Sequence, residues 1–281
     1  TKNGDIKEIC DLVKPKYGVI TSIGEQHLES FKTVENIINT KFELADSIPE
    51  DGIVFLNADN EHIKNKEKKN KYIYYGTNNE ENKYNAKNIE NSAKGLSFDM
   101  EIKGEEKVFS SKLLGEHNVI NIAGAIAVAE ELGIETEKTI SKVRLLETAE
   151  HRLQVIKGNN SIIIDDAYNS NPAGARAALN VLNSFNGTRI LITPGMIELG
   201  EKQYKCNFEF GEYAAEKSDY IILVGKEQTK PIQDGIEKAG FNKEKLHIVN
   251  SLNEGLAKAN ELGEFGKEKI ILLENDLPDN Y

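Results

Sequence analysis

Side chains that bind phosphates, sugars or metal ions occur together in short strings of this sequence. Asp165 and Asp166 follow the run SIII at residues 161–164 and begin a turn that closes at Pro172. Carboxylates at the end of a buried strand commonly hold ribose hydroxyls or metal-bound water. Arg152, just upstream, offers a planar guanidinium for phosphate oxygens. A plain strand–turn–helix joint explains the same residues, so this string needs support from elsewhere.

A second string, GEQHLESF at residues 24–31, directly follows another predicted strand. His27 could present an imidazole nitrogen to a metal ion or a phosphate there, because parallel α/β folds place ligands at the carboxyl ends of strands. A half-buried histidine in a turn is the commoner role of a lone histidine. We therefore assign His27 to a site only if other candidate ligand-binding residues accompany it.

A third string, GEHNVINIAGAIAVA at residues 115–129, places two carboxamides on a predicted helix. Asn118 and Asn121 lie three residues apart and so share a helix face. A carboxamide offers both a donor and an acceptor, which matches the edge of an adenine ring. The alternative is that Asn118 caps the helix and Asn121 is merely tolerated.

The elements that must position these strings predict an α/β protein. In the first half of the chain, hydrophobic periodicity predicts helices at 5–13, 33–47, 118–132 and 136–148 and strands at 17–23, 52–56 and 72–75. Residues 84–114 instead alternate apolar and polar side chains, which predicts a small antiparallel patch. We expect a mostly parallel sheet with flanking helices, joined to that patch.

A new series of strands and helices begins at His151. Strands are predicted at 161–165, 189–193, 220–224, 246–249 and 269–273, with helices at 173–185, 202–217, 229–239 and 253–262. Strands that alternate with helices in this way predict a Rossmann-like open α/β domain. We therefore expect one domain over residues 1–149 and a second over residues 150–281.

Composition narrows the functional classes. The 281 residues include 35 Lys and Arg against 46 Asp and Glu, a net charge of −11, which disfavours nucleic acid as a partner. Cys10 and Cys206 form no paired motif, so neither a disulfide framework nor a zinc site is indicated. No apolar run approaches a membrane span and no signal peptide opens the chain, so we expect a cytoplasmic protein. Because Thr1 leads straight into a helix pattern, we expect the chain to begin inside a longer protein.

In their order along the chain, these strings resemble the Mur ligase family. The strings that carry the resemblance are GEQHLE, NTKFEL, GEHNVINIAGA, HRLQ, DDAYNSNP and MIELG. Several strings in the right order are more specific than any single motif, and they extend over nearly the whole chain. The resemblance is strongest to the branch that joins D-alanyl-D-alanine to a UDP-linked muramoyl tripeptide. It implies the remainder of the central ATP-binding domain over 1–149 and the C-terminal Rossmann-like domain over 150–281.

The resemblance also implies a catalytic magnesium site at His27 and Lys41. His27 matches a magnesium-associated histidine, and Lys41 matches a lysine that is carbamylated in these ligases. A carbamate is anionic and offers oxygen ligands to Mg²⁺, whereas an ammonium would repel the ion. Carbamylation requires an uncharged amine, and hence surroundings that favour deprotonation. Without the resemblance, Lys41 would be an ordinary solvated lysine.

The ATP site that the resemblance implies comprises Asn118, Asn121, Arg152, Asp166, Tyr168 and Asn169. Asn121 would contact adenine, Arg152 phosphate and Asp166 ribose. The C-terminal domain would close over ATP to complete the site.

The implied reaction is ATP-dependent amide-bond formation through an acyl phosphate, with Mg²⁺ offsetting charge on the transferring group. The implied partners are a UDP-muramoyl peptide and a dipeptide or amino-acid amine, and the implied process is peptidoglycan synthesis, which supports the cell wall, cell shape and cell division.

Three departures from the family pattern limit this interpretation. The sequence has no GxxxxGK[ST] phosphate-binding loop, which in the family lies upstream together with a UDP-sugar-binding N-terminal domain, so we expect this chain to be inactive alone. Gly195 stands where the family usually has an aspartate. A basic KGSR-type motif is absent, and Glu274, Asp276 and Asp279 would not attract an anionic substrate carboxylate.

Two other functional classes therefore stay open. One is a different ligase of the same superfamily, such as a folylpolyglutamate synthase or a cyanophycin synthetase, although the DDAYNSNP turn favours the muramoyl-peptide branch. The other is a non-catalytic binding or regulatory module, which the missing phosphate-binding loop and the acidic C-terminal residues support.

Overall fold

The computed structural model divides the chain into two compact units, Thr1–Leu146 (unit 1) and Glu147–Tyr281 (unit 2). It describes residues 3–24, 31–64, 71–77, 79–168, 170–264 and 266–275. Both units combine a sheet with packed helices, which confirms the predicted α/β class. None of the helices in these ranges has the length and hydropathy needed to cross a bilayer.

The sheet of unit 1 is parallel at one side and antiparallel at the other. Its elements are α1 (Asp5–Val13), β1 (Tyr17–Ile20), α2 (Val34–Ser47), β2 (Ile53–Asn57), α3 (Glu61–Lys64), β3 (Tyr72–Gly76), β4 (Tyr84–Ser92), β5 (Gly95–Ile102), β6 (Glu105–Ser111), α4 (His117–Glu131) and α5 (Thr136–Val143). The strands follow chain order across the sheet. Strands β1 to β4 pair in parallel, and β4, β5 and β6 pair antiparallel. The predicted antiparallel patch is therefore confirmed, and it continues the parallel sheet.

Two elements of unit 1 are shorter than predicted. The first strand pairs with β2 only as far as Ile20 opposite Leu56, so it does not reach residue 23. The helix predicted at 136–148 ends at Val143. Beyond it the amides of Leu145 and Leu146 bond to carbonyls three residues back, which is the tighter turn common at helix ends.

Helix ends in unit 1 are satisfied by side chains. Thr33 caps α2 as predicted, since its hydroxyl accepts a hydrogen bond from the amide of Asn36 at 3.2 Å. The Glu43 carboxylate accepts from the amides of Gly4 at 2.7 Å and Lys7 at 3.0 Å, at the amino end of α1. A carboxylate is favourable there because the helix dipole is positive at that end. Glu43, on α2, thereby fixes α1 against α2.

Helix α4 covers one face of the unit 1 sheet, and its amino end carries the two candidate asparagines. Its buried side chains, including Ile122 and Ile126, pack in one cluster with Phe55 and Phe98. A Cβ atom on Gly124 would lie 2.8 Å from the ring of Tyr75, so a glycine is needed for this close approach.

Unit 2 has a mainly parallel sheet whose last strand lies inside it. Its elements are β7 (Gln154–Lys157), β8 (Ser161–Asp166), α6 (Pro172–Asn183), β9 (Thr188–Thr193), α7 (Gln203–Lys217), β10 (Tyr220–Val224), α8 (Lys230–Lys238), β11 (Leu246–Val249), α9 (Leu252–Glu261) and β12 (Lys269–Glu274). The strand order is β11-β10-β9-β12-β8-β7. Strand β12 pairs in parallel with both β8 and β9, and β7 runs antiparallel to β8. The predicted five parallel strands are confirmed, and β7 is an additional edge strand that the sequence pattern did not reveal.

Helices α7 and α8 cross at two glycines. A Cβ atom on Gly211 would lie 2.2 Å from the carbonyl oxygen of Ile232, and one on Gly235 would lie 2.0 Å from that of Phe208. Both distances are far below van der Waals contact, and both partners are backbone atoms that cannot rotate away. The crossing therefore depends on the absence of side chains at both positions.

Replacing Gly235 by Ala should lower the free energy of unfolding of unit 2 by about 1–3 kcal/mol, because the helices must separate to admit the methyl group. Gly174→Ala is the matched control: the nearest atoms to its added Cβ belong to Asn171, 3.5 Å or more away. The control should leave stability unchanged or slightly higher, since Ala is the better helix former. Urea unfolding measures both, and equal stabilities of Gly235→Ala and the unaltered protein would contradict this packing.

Candidate functional site

The antiparallel pairing of β7 with β8 brings two distant strings together. In the register of this pair, Gln154 lies opposite Asp165. The beginning of β7 is therefore beside the carboxyl end of β8. Residues 151–153, which lead into β7, consequently meet the turn that follows β8.

The side chains of the two strings contact one another in order. Nδ1 of His151 lies 2.8 Å from Oδ2 of Asp165. The amide of Leu153 donates to Oδ1 of Asp166 at 3.1 Å. Between them, the guanidinium of Arg152 lies 4.4 Å from the ring centre of Tyr168, a cation–π distance. We call His151, Arg152, Asp165, Asp166 and Tyr168 the carboxyl-edge cluster.

The backbone before β7 adopts an uncommon conformation. His151 has a φ of 57° and Leu153 a φ of 52°, in the left-handed region that few residues other than glycine occupy. Leu153 is buried, which fixes the segment against the sheet. Surrounding structure must hold such a conformation in place, and positions of this kind concentrate at ligand sites.

Asp166 is a half-buried carboxyl group with a raised pKa. Burial is the largest cause of the raised pKa, and the charge of Asp165 acts in the same direction. The amide of Leu153 and the charge of Arg152 both act to lower the pKa. A carboxyl group that keeps one exposed side suits hydrogen bonds from hydroxyl donors such as those of ribose.

Glu274 ends β12 and is almost completely buried, at 1% exposure. The hydroxyl of Ser170 donates to its Oε1, and the hydroxyl of Thr193 donates to its Oε2 at 3.0 Å. Burial raises the pKa of Glu274 to about 7; the two hydroxyls lower it and the charge of Asp166 raises it further.

The next residue, Asn275, ties the same three strand ends together through its backbone and side chain. Its amide donates to the carbonyl of Asp166 at 3.2 Å, and its Nδ2 donates to the carbonyl of Gly195 at 2.6 Å. Gly195 has a φ of 85°, a conformation that strains other residues. The glycine that replaces the family's usual aspartate therefore matches the conformation of this loop.

The carboxamide of Asn207 holds the other side of the loop after β9. Its Oδ1 accepts from the amide of Met196 at 2.9 Å, and its Nδ2 donates to the carbonyls of Met196 and Gln203, each at 2.9 Å. Asn207 is buried, so these bonds are shielded from water.

Glu274, which we expected not to attract an anionic substrate carboxylate, is buried inside the domain. Its carboxyl group faces inward onto two hydroxyls and is not available to an approaching substrate. Asp276 and Asp279, which completed that acidic set, lie outside the described residues.

A cavity of about 230 Å³ opens at the same edge of the unit 2 sheet. Gln228, Asn250 and Asn275 supply polar groups to it, and Ile192 and Leu273 supply apolar ones. Carboxyl ends of parallel strands are the usual ligand sites of such sheets. Its volume is below the range of pockets that enclose a whole ligand of drug size, so it suits a small group.

A larger recess of about 380 Å³ lies at the opposite, amino edge of this sheet. The guanidinium of Arg189 lines this recess and donates to both carboxylate oxygens of Asp219 at 2.9–3.1 Å. The mutual pairing lowers the pKa of Asp219 despite its partial burial. The recess therefore carries a satisfied structural ion pair rather than a group available for ligand binding.

In unit 1 the two candidate asparagines lie together on the first turns of α4. Nδ2 of Asn118 donates to the carbonyl of Leu114 at 2.7 Å, and Nδ2 of Asn121 donates to Oδ1 of Asn118 at 3.2 Å. Asn118 does not cap the helix, because Glu116 is the N-cap residue. Asn118 thus orients the exposed carboxamide of Asn121.

The predicted metal site is only partly within the described structure. Lys41 lies on α2 with an exposed side chain, while His27 lies outside the described residues, as does Asn169 of the ATP set. Within the described ranges, no group of three or more His, Cys, Asp or Glu side chains is arranged to hold a metal ion. The described residues alone do not provide a complete Mg²⁺ site.

Comparison with known families decides the classification. Residues 2–129 match the Mur ligase middle domain, and residues 151–273 match the Mur ligase glutamate ligase domain. The chain belongs to the Mur ligase family. This confirms the resemblance read from the six strings and the two-part architecture expected from it.

Curated Mur ligases of known name align with most of the chain. UDP-N-acetylmuramoyl-tripeptide--D-alanyl-D-alanine ligase of Bacillus subtilis (strain 168) is 32% identical over 228 residues, 79% of this chain and 49% of that protein. UDP-N-acetylmuramate--L-alanine ligase of Dictyoglomus turgidum is 30% identical over 271 residues, 90% of this chain and 57% of that protein. The chain spans about half the length of the curated relatives it matches.

Solved Mur ligase structures share the fold. MurF from Acinetobacter baumannii has a TM-score of 0.83 at 24% identity, covering 98% of this chain and 60% of that one. The MurF ligase of Thermotoga maritima, solved in complex with ADP, has a TM-score of 0.80 at 21% identity, covering 98% and 62%. At these identities the likeness establishes the architecture of this Mur ligase chain.

Sequence reasoning missed the residues that support the cluster. Asn207 and Thr193 carry no motif of their own, and Ser170 was not singled out within the string DDAYNSNP. A signal for Glu274 was present, because it directly continues the apolar strand KIILL, where a charged residue indicates either a strand end or a buried, paired group.

Glu274 should make the stability of unit 2 fall as pH rises. Its pKa is ordinarily 4.5 and about 7 in the fold, so between these values the folded state keeps a proton that the unfolded chain releases. The free energy of unfolding therefore decreases through this window and levels off above it. Between about pH 5 and pH 8 the loss should be about 2–3 kcal/mol.

Glu274→Gln should abolish this part of the pH dependence, because the amide does not titrate. Urea unfolding of both proteins at the two pH values measures the difference. Equal slopes for Glu274→Gln and the unaltered protein would show that Glu274 does not hold its proton in the folded state.

Proposed function

We propose that the full-length protein is an ATP-dependent Mur ligase that forms an amide bond on a UDP-muramoyl peptide during peptidoglycan precursor synthesis. The observation that carries this proposal is the carboxyl-edge cluster, in which a guanidinium, a half-buried carboxyl group and an aromatic ring adjoin at the ligand-binding edge of a Mur ligase domain. Relatives in B. subtilis and D. turgidum are named as ligases of this kind.

The proposed reaction has two steps. A carboxylate oxygen of the muramoyl peptide attacks the γ-phosphorus of ATP, forming an acyl phosphate and releasing ADP. The nitrogen of the incoming amine then attacks the acyl carbon, loses a proton and expels inorganic phosphate. In such transfers the protein contributes mainly positioning and electrostatic stabilisation.

We propose three contacts with ATP. Arg152 is the proposed phosphate ligand, and its contact with the ring of Tyr168 orients the guanidinium. Asp166 is the proposed ribose acceptor, with the amide of Leu153 fixing one of its oxygens. Asn121 is the proposed adenine contact, oriented by Asn118.

D-alanyl-D-alanine is the first candidate for the acceptor amine. Several relatives, including those of B. subtilis and Escherichia coli, are named for it. The D. turgidum relative is named for L-alanine and aligns over more of the chain, so a single amino acid is the second candidate. The cavity at the carboxyl edge of unit 2 suits a small amine of either kind.

Two further parts of the proposal concern Mg²⁺ and location. A divalent ion would offset the charge of the transferring phosphoryl group, with His27 and a carbamylated Lys41 as its associated residues. The substrates of such a ligase are cytoplasmic nucleotides, and we propose a cytoplasmic protein.

A phosphate-release assay of the full-length protein tests the function. The assay supplies ATP, Mg²⁺ and a UDP-muramoyl tripeptide, and compares D-alanyl-D-alanine with L-alanine and other amines. Release of phosphate that depends on both the peptide and one amine supports the ligase. Absence of release with every amine, despite ATP binding, would instead favour a non-catalytic binding module.

Lys41→Ala in the full-length protein should reduce ligation by more than a hundredfold, because it removes the proposed carbamate. A short carboxylate such as acetate should restore part of the activity by supplying the missing oxygen ligands. Lys138→Ala, at an exposed position on α5, is the matched control and should behave as the unaltered protein. Full ligation by Lys41→Ala would remove Lys41 from the active site.

A further inference from the structure

Glu274 connects the turn after β8 with the end of β9, the two strands that flank β12. Ser170, in the turn after β8, donates its hydroxyl to Oε1. Thr193, at the end of β9, donates its hydroxyl to Oε2 at 3.0 Å. Because each oxygen takes a donor from a different one of these two segments, the carboxyl group bridges them.

The bridge continues into the backbone on both sides. The amide of Gly195 donates to Oγ1 of Thr193 at 3.0 Å, so the loop after β9 is linked to Glu274 through that hydroxyl. On the other side, the amide of Asn275 donates to the carbonyl of Asp166 at 3.2 Å. The turn that carries Asp166 cannot move from β12 without breaking these bonds.

We propose that Glu274 is a positioning residue whose carboxyl group holds the end of β8 at Asp166, and the turn after it with Tyr168, against the end of β9 and its following loop. The inference rests on the proposed function, since Asp166 and Tyr168 gain a role through the proposed ATP site. Glu274 itself is too deeply buried to touch a substrate.

Burial gives this assignment its physical basis. Placing a carboxyl group inside the domain costs free energy that an apolar side chain of similar size would not cost. The carboxyl group supplies acceptors for two hydroxyls. One of these hydroxyls belongs to Thr193, which is fully buried. Loss of such acceptors leaves buried donors unsatisfied and the two segments without their link.

Two substitutions separate hydrogen bonding from packing. In Glu274→Gln the amide oxygen still accepts from one hydroxyl. The amide nitrogen faces the other hydroxyl, which can rotate to accept a hydrogen bond from it. Glu274→Leu fills much of the same space and offers no acceptor. Asp219→Asn is the matched control, because Asp219 pairs with Arg189 at the opposite edge of the same sheet.

Hydrogen exchange of the unliganded full-length protein is the first measurement. In Glu274→Leu the amides of residues 165–168, 170 and 171 should exchange roughly tenfold faster, as expected for the loss of about 1.4 kcal/mol of local stability. In Glu274→Gln and in Asp219→Asn these amides should exchange within about twofold of the unaltered protein.

The kcat and the KM for ATP provide a second measurement. A residue with only a structural role would change these two constants in a different way. A general loss of folded protein lowers kcat and leaves the KM for ATP unchanged. A displaced Asp166 turn should instead raise the KM for ATP roughly tenfold in Glu274→Leu, with a smaller change in kcat. Glu274→Gln should restore the KM.

The proposal is overturned if Glu274→Leu exchanges like the unaltered protein in this segment, or if Glu274→Gln exchanges as fast as Glu274→Leu. Should Glu274→Leu fail to fold, Ser170→Ala and Thr193→Val each remove one donor and should each accelerate exchange roughly threefold; no change in either would overturn it as well. The exchange measurement needs no substrate. If the unaltered protein releases no phosphate, the proposed function is rejected, and hydrogen exchange still tests the role of Glu274.

Discussion

The position of β12 constrains the candidate site of unit 2 more than any other feature. This strand is the last in the chain, yet it pairs between β8 and β9. Whatever side chain ends it must therefore lie between the ends of both neighbours. In this protein that side chain is the buried carboxyl group of Glu274, which accepts a hydrogen bond from a hydroxyl on each side. The carboxyl group of Glu274 therefore links the turn after Asp166 to the end of β9.

This arrangement changes the meaning of the acidic C-terminal residues. Where the family resemblance led us to expect a basic motif, the chain has Glu274 and Asn275, and both side chains bond within the domain. Because Glu274 is buried, its carboxyl group does not contact a substrate and does not select for the charge of one directly. The groups that line the small cavity at this edge are the ones open to a ligand.

Much of the fold could be predicted from sequence because periodicity and turn residues act locally. Thr33 at the start of α2 and Pro172 in the first turn of α6 marked helix starts that the structure confirms. Strand β7 was missed because its four residues lie at a sheet edge and have no buried alternation. That omission mattered, since only the antiparallel pairing of β7 explains how His151 meets Asp165.

The candidate site was less predictable than the fold. Arg152, Asp166 and Tyr168 were identified by motif and do lie together, although their roles remain predictions. The surroundings of Glu274 could not be predicted, because they depend on the insertion of β12 and on hydroxyls more than 80 residues away in sequence. Local patterns carry no information on such pairings.

The central claim is that the carboxyl-edge cluster of unit 2 binds ATP, and calorimetric titration of the full-length protein with ATP tests it most directly. Asp166→Asn and Arg152→Ala should each weaken ATP binding roughly tenfold, since each removes a proposed hydrogen bond to ATP. ATP affinity that is unchanged by either substitution would contradict the account.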